Sequence, residues 1–232
     1  MALAPVGLAS PKQAHSQKNW GTLLTREKYF QPVDQPAPSL RCKTQAAWRS
    51  ASPSSRGKVV ILNFIHASCG DECPLHSVVI AQLQSMIKDT PMKDRQGFIS
   101  ITTDPNNDVG PVLADYGASH GLDLANWTFL TSPVSEPEDT TRRRAKAFGL
   151  VFEEVDGAQM HGVVTNVIDK EGQLRGLFHG LNFAPLNLIT FANALVNDVD
   201  RRHPESRPEW SLWPWFASLF SGSGLPSGGG AQ

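Results

Sequence analysis

Two cysteines, Cys69 and Cys73, have the type and spacing for redox or metal chemistry, because three residues separate them. They follow an apolar, β-branched run, Val59 to Ile65, which predicts a strand buried on both faces. Pro74 then begins a segment of roughly helical apolar spacing, and proline suits a first helical turn. The thiols are thus predicted in a strand-to-helix turn with Cys73 at a helix N-terminus, where the helix dipole favours the reactive or ligating thiolate.

The cysteine spacing is compatible with either a disulfide or a shared metal ion. It is one residue longer than Cys-x-x-Cys, yet the Cα atoms of such a turn can still reach the roughly 4.4 to 6.8 Å of a disulfide. Two thiolates and one imidazole would suit copper, especially Cu(I), whereas structural zinc requires a fourth protein ligand. The acidic Asp71 and Glu72 disfavour a bare thiolate nearby, and a bound cation would remove that penalty.

Three histidines compete on spacing alone to be the third ligand. His76 lies three residues after Cys73 on the same predicted helix face, and His66 precedes Cys69 by three. His161 stands just before a predicted strand, in a loop that could lie over the cysteine turn. The other four are predicted to be solvated or satisfied: His15, His120, His179 and His203.

Composition narrows the class of protein. A chain of 232 residues with 40% hydrophobic residues can bury one good core, and a net charge of -1 gives no reason to expect nucleic acid as a partner. Three cysteines are too few for a disulfide scaffold. Cys42 is predicted to be incidental, the alternatives being a third sulfur ligand or an intermolecular bridge.

The order of predicted elements defines the fold. It runs β-α-β-α-β-α-β-β-α, and the elements after the first strand are a helix to Lys88, the strand FISITTD, a helix capped by Asp108 and ended by Gly121, a strand Trp127 to Leu130, a helix Asp139 to Phe148, a hairpin turning at Asp169 to Gly172, and a helix Pro185 to about Val199. A thiol pair after the first strand of this order indicates a thioredoxin-like α/β fold, with a central mixed sheet and flanking helices. Ligand groups gather beyond the carboxyl ends of such strands, where Cys69 and Asp104 are both predicted.

The ends of the chain differ in composition from residues 58–200, the predicted thioredoxin-like domain. Residues 1–57 are predicted to be an extended or poorly ordered arm, and residues 201–232 a Trp-rich and then Gly/Ser-rich tail. The tail's aromatic cluster, Trp210 to Phe220, is too short to cross a membrane; contact with a lipid interface or a partner is one alternative to docking on the domain or disorder. The sequence shows no convincing secretory signal and no apolar run long enough to span a bilayer.

Several motifs together resemble the Sco/SenC family. The segment Phe64 to Pro74 is similar to its Cys-x3-Cys-Pro motif, and Ser100 to Asp108 to its strand ending in Asp-Pro. His161, followed by Asp169 and Gly172, resembles its distal histidine before an Asp-x-x-Gly hairpin. Asn19 to Gly21 with Tyr29 and Phe30 resembles the leading arm of some bacterial members. The likeness covers roughly Lys58 to Val199.

The resemblance implies a copper protein that helps to assemble the dinuclear copper centre of cytochrome c oxidase. It implies Cys69 and Cys73 as thiolate ligands and His161 as the imidazole ligand of Cu(I) or Cu(II), with Asp104 in a supporting role. The implied partners are the copper-receiving oxidase subunit and a thiol reductant. The implied location is extracytoplasmic, in the periplasm at the membrane, although the anchor usual in the family is absent from this sequence.

Two functions follow from these residues. The first is a metallochaperone, rather than an enzyme, that holds one copper and passes it on. The alternative is a thiol-disulfide oxidoreductase, in which one of Cys69 and Cys73 attacks a partner disulfide and the other resolves the mixed intermediate. His161 is essential to the first function and dispensable to the second.

Overall fold

The computed structural model describes residues 24–39, 43–44, 57–70, 72–132, 136–137, 139–155 and 158–197, and for 43–44, 153–155 and 158–161 it describes the backbone alone. All of them belong to one compact unit, Met1–Val199. The strands are β1 (Phe30–Pro36), β2 (Lys43–Thr44), β3 (Val59–Ile65), β4 (Gln96–Thr102), β5 (Trp127–Thr131), β6 (Phe152–Val155), β7 (Ala158–His161), β8 (Val164–Ile168) and β9 (Gln173–His179). The α-helices are α1 (Glu72–Lys88), α2 (Gly110–Ser119), α3 (Asp139–Ala147) and α4 (Pro185–Val196), and a 3-10 helix covers Lys93–Arg95.

A seven-stranded mixed sheet organises the fold, in the order β1-β9-β8-β3-β4-β5-β2. β3, β4 and β5 are parallel neighbours, while β8 runs antiparallel to β3 and β9 antiparallel to β8. β6 and β7 form a separate two-stranded hairpin. The prediction of a central mixed sheet with flanking helices is therefore confirmed.

β3 lies at the centre of this sheet because it is apolar on both faces. All seven of its residues are buried. Val59, Ile61 and Ile65 face one core with side chains of α1, α2 and α4. Val60, Leu62 and Phe64 face a second core, to which α3 contributes Ala145. A strand buried in this way must end at the middle of the sheet edge, and its end is where the cysteine turn begins.

The segment before β3 contributes an edge strand that sequence composition did not reveal. β1 pairs antiparallel with β9, and the ring of Phe30 packs 4.9 Å from Phe178 and 5.1 Å from Phe191, centroid to centroid. Nearby, the Glu27 carboxylate accepts hydrogen bonds from the Ala184 backbone N–H and the Asn187 side chain at the start of α4. Burial raises the pKa of Glu27, but these hydrogen bonds outweigh it and lower the pKa overall.

Four further differences from the sequence predictions concern local structure. α1 begins at Glu72 rather than Pro74, the β6–β7 hairpin was not predicted, and α4 ends at Val196. Asp108 was predicted to cap α2, yet Val109 occupies that position without a side-chain cap. Some residues discussed in the sequence analysis lie outside the described residues: Cys42, Asp71, Asn19 to Gly21 and the Trp-rich tail. None of the helices described here has the length and apolar character that crossing a bilayer requires.

The packing of β1 predicts that Gly176→Ala destabilises the protein. A Cβ atom at Gly176 would lie 2.5 Å from Phe30 Cε2 and 2.9 Å from Phe191 Cε1, so the ring that holds β1 must move. Overpacking of this kind costs about 1–3 kcal/mol, measurable as a lower free energy of unfolding in urea. Gly162→Ala is the matched control, because a Cβ there meets no atom of the described residues within 4 Å. Equal stabilities of the two variants would contradict the prediction.

Candidate metal centre

The two cysteines lie side by side at the end of β3. Cys69 is half-buried in the turn, and Cys73 is buried as the second residue of α1. Burial raises the pKa of Cys73 to about 12, and the neighbouring Cys69 and a hydrogen bond to it act in the same direction. A hydrogen bond from the His66 backbone to the Cys73 sulfur opposes this shift. The sulfurs are thus in mutual contact, and Cys73 holds its proton at neutral pH.

The turn that carries Cys69 is hydrogen bonded to the segment that follows β4. The Thr103 N–H donates to the Ile65 carbonyl at 2.8 Å. The Asp108 carboxylate, which is buried, accepts from the Ala67 N–H at 2.9 Å and, through the same oxygen, from the Thr102 hydroxyl. Because β3 and β4 are parallel, both segments leave the sheet at the same edge, and these bonds join them.

His66 of the cysteine turn and Asp104 of the segment after β4 form a polar pair. The His66 Nε2 lies 3.4 Å from Asp104 Oδ2 and 2.9 Å from the Ser68 hydroxyl. Burial raises the pKa of Asp104, but hydrogen bonds from Asn107 and the nearby His66 lower it overall. The supporting position predicted for Asp104 stays a prediction; its carboxylate orients the His66 ring.

Tyr116 of α2 supports the first turn of α1. Its hydroxyl donates to the Cys73 carbonyl at 3.0 Å and lies 2.7 Å from the Ser77 hydroxyl. Burial raises the pKa of Tyr116, and the nearby acidic groups of Cys73, Cys69 and Asp108 raise it further, so the phenol stays neutral and can donate. This anchors the backbone of Cys73.

His76 and His161 have very different positions. The predicted helix face shared by His76 and Cys73 is the core-facing side of α1: His76 is fully buried, and its Nε2 lies 2.8 Å from the Thr165 hydroxyl of β8. The backbone of His161 ends β7, three residues before β8 begins. Since β8 is antiparallel to β3, its beginning lies at the sheet edge where β3 ends.

A cavity of about 390 Å³ adjoins both the segment of Cys73 and the segment of His161. Glu72, the neighbour of Cys73, and Gly162, the neighbour of His161, both line it, together with Val151, Val163 and Leu181. Among the side chains that the structure describes, which exclude that of His161, no cluster of three or more His, Cys, Asp or Glu residues could hold a metal ion. Of the candidate metal centre, the structure therefore describes the two cysteine side chains and the residues that hydrogen bond to the segments carrying them.

Sequence reasoning gave no site role to Asp108, Thr102 or Tyr116. The first two lie within the motif Ser100 to Asp108, and Asp108 was interpreted as a helix cap, whereas Tyr116 had no signal beyond its position in a helix. The contact of Asp108 with Ala67 spans 41 positions of sequence, and that of Tyr116 with Cys73 spans 43. Only the parallel pairing of β3 with β4 brings these side chains to the cysteines.

The fold and the paired thiols define a thioredoxin-like α/β protein. A model of the SCO1/SenC family matches residues 44–191, which is more than half of the chain. The chain therefore belongs to the SCO1/SenC family. A relative described as "SCO1 protein homolog", from Bacillus subtilis (strain 168), is 27% identical over 139 residues, which are 59% of this chain and 69% of the relative.

Solved structures share the fold. A SCO1/SenC family lipoprotein from Bacillus anthracis str. Ames superposes with a TM-score of 0.62 at 23% identity, covering 71% of this chain and 97% of the other. BsSco, described as a member of the Sco family of cytochrome c oxidase assembly proteins with a disulfide switch, gives 0.60 at 20% identity, covering 72% and 96%. Yeast Sco1 with copper bound gives 0.53 at 17% identity, covering 77% and 93%.

The burial difference between the thiols predicts unequal alkylation. At pH 8, iodoacetamide is expected to modify Cys69 at least about 10-fold faster than Cys73, since Cys73 is buried and its pKa is raised to about 12. Labelling of Cys73 should increase as the pH rises toward 12, because the thiolate forms only there. Mass spectrometry of the labelled peptides measures both rates. The unfolded chain in urea is the control, and equal rates in the folded protein would contradict the prediction.

Proposed function

We propose that this protein binds one copper ion through Cys69, Cys73 and His161 and delivers it to another protein. The observation that carries the proposal is that the neighbours of Cys73 and of His161 line one cavity, while Cys69 and Cys73 touch. The backbone therefore allows an imidazole to approach the sulfur pair from across the cavity. Two sulfurs and one imidazole are the soft, low-coordinate donor set that suits copper, and Cu(I) above all.

Copper must displace the protons of the two thiols. The raised pKa of Cys73 means that the empty site keeps a neutral thiol there, and a bound cation makes its deprotonation favourable. Copper is cargo in this proposal. Its release requires no covalent catalysis, because the thiolates of an acceptor can replace Cys69, the more exposed ligand, before the buried Cys73.

The recipient proposed for this copper is a subunit of cytochrome c oxidase. BsSco is described as belonging to a family of assembly proteins for that enzyme, and yeast Sco1 has been solved with copper bound. Because the likeness to these structures is one of fold, the donor residues of this chain carry the argument for copper itself. An extracytoplasmic location at the membrane is proposed on the same family grounds, the relative from Bacillus anthracis being described as a lipoprotein.

A second function, thiol-disulfide exchange, is favoured by the asymmetry of the two cysteines. An exchange enzyme needs an accessible thiol to attack and a sheltered neighbour to resolve, which Cys69 and Cys73 supply in that order. In this reaction the Cys69 sulfur bonds to one sulfur of the partner disulfide and the other leaves as a thiolate. Cys73 then displaces the first partner sulfur, so that the partner is reduced and Cys69 and Cys73 form a disulfide.

The copper proposal predicts that His161→Ala weakens copper binding strongly. Removing one of three ligands should lower the affinity of the reduced protein by at least about 100-fold, because the remaining two-sulfur site is incomplete. Cys69→Ser should have an effect of similar size. Titration with Cu(I) in competition with a chelating indicator, together with metal counting, measures affinity and the expected ratio of one copper per chain.

His203→Gln is the matched histidine control for that titration. His203 lies outside residues 44–191, which the family model matches, so this substitution should leave copper affinity unchanged. If His161→Ala bound copper as tightly as the parent, the ligand assignment would be wrong. If the parent itself bound no copper, the exchange function would be the one that survives.

The exchange function predicts a trapped intermediate. With Cys73→Ser, a mixed disulfide formed by Cys69 cannot be resolved and should accumulate with a model disulfide peptide, whereas Cys69→Ser should trap far less because Cys73 is buried. Non-reducing electrophoresis and intact mass measure the adduct. His161→Ala should form and resolve it as the parent does, and failure of Cys73→Ser to accumulate any adduct would exclude this order of attack.

A further inference from the structure

The buried carboxylate of Asp108 lies between the cysteine turn and the sheet. It is 1% exposed, and a single oxygen, Oδ2, accepts both the Ala67 N–H at 2.9 Å and the Thr102 hydroxyl. Thr102 is the last residue of β4, and its hydroxyl oxygen also accepts the Asp104 N–H at 2.9 Å. One side chain therefore connects the end of a rigid buried strand to the turn that carries Cys69.

Capping of α2 does not explain the position of the Asp108 side chain. α2 begins at Gly110 without a side-chain cap at Val109, so Asp108 is not used to stabilise that helix through its side chain. Its own N–H donates to the Asp104 carbonyl at 2.9 Å, which fixes the tight turn in which it lies. The side chain is thus directed away from the helix and into the cysteine turn.

We infer that Asp108 is a positioning residue for the cysteine pair, holding the turn 66–69 so that the Cys69 sulfur stays beside that of Cys73. The inference rests on the proposed function, because it concerns the use of the same two sulfurs. Cys73 is already fixed by α1 and by the Tyr116 hydroxyl on its carbonyl. Cys69 lies outside regular secondary structure; its N–H donates to the His66 carbonyl at 3.0 Å within the turn, and the Ala67 N–H joins that turn to Asp108.

A fixed Cys69 has consequences for both proposed reactions. Two sulfurs held together need no further ordering to share a copper ion, and outer contacts that orient metal ligands typically change affinity 10- to 100-fold. The same apposition raises the effective concentration of one thiol at the other, which favours the disulfide. Releasing the turn should weaken copper binding and disfavour the disulfide together.

The experiment compares Asp108→Ala with Asp108→Asn in the full chain. The amide oxygen of Asn can accept the Ala67 and Thr102 hydrogens as the carboxylate does, whereas Ala accepts neither. Asp108→Ala should bind Cu(I) about 10- to 100-fold more weakly than the parent, and Asp108→Asn should remain within about threefold. Gly176→Ala, which perturbs the remote β1–β9 packing, should lose stability while keeping the parent's copper affinity.

A second readout requires no copper. In glutathione buffers, the protein dithiol and one oxidised glutathione give the protein disulfide and two reduced glutathiones, and the ratio at equilibrium measures the apposition of the sulfurs. Asp108→Ala should lower this equilibrium constant by about 10-fold, with Asp108→Asn again close to the parent. If the Ala variant does not fold, Asp108→Ser replaces it, because a hydroxyl on the shorter side chain falls short of Ala67.

Each outcome is distinct from a failure of the proposed function. A parent that binds no copper refutes the copper proposal, and the glutathione equilibrium still tests Asp108. Parent-like values of both quantities in the folded Ala or Ser variant would overturn the positioning role. An Asn variant as impaired as Ala would assign the effect to negative charge and would also overturn it, as would an equal loss of both quantities in Gly176→Ala.

Discussion

The structure depends on the parallel pairing of two buried strands, β3 and β4, at the centre of the sheet. Their register is continuous from Val59 opposite Gln96 to Ile65 opposite Thr102, so both strands end at the same level of the same edge. The segments that follow must then lie against each other. The hydrogen bonds between the cysteine turn and the segment after β4, such as that from Ala67 to Asp108, are a consequence of that pairing.

The same pairing explains how a turn and the helix after it can present two different sulfurs. α1 starts directly after the turn and packs its inner face on the core, which buries Cys73 and raises its pKa. Cys69, a turn earlier, stays near solvent. A metallochaperone and a dithiol exchanger both need this combination of one accessible and one sheltered thiol, and the two proposed functions therefore share a structural basis. They differ in their need for His161.

The antiparallel half of the sheet determines where the segment that contains His161 lies. β8 runs against β3, so its beginning, and the β7 segment before it, reach the edge at which the cysteines lie. The hydrogen bond between His76 of α1 and Thr165 of β8 ties this half to the cysteine helix inside the core. A histidine remote in sequence is carried to the cysteine edge by strand direction, while the histidines nearer in sequence are used for packing or for contact with Asp104.

The sequence by itself determined the elements that depend on local pattern: the buried strand β3, the helix after it, the β8–β9 hairpin, and hence the thioredoxin-like class and the cysteine pair. These follow from runs of apolar residues and from turn residues, which are local in the chain. The tertiary structure alone decided that Asp108 contacts the cysteine turn rather than capping α2, that His76 is buried, and that β1 joins the sheet through Phe30. Each of these depends on contacts between segments far apart in sequence, whose partners no local periodicity can specify.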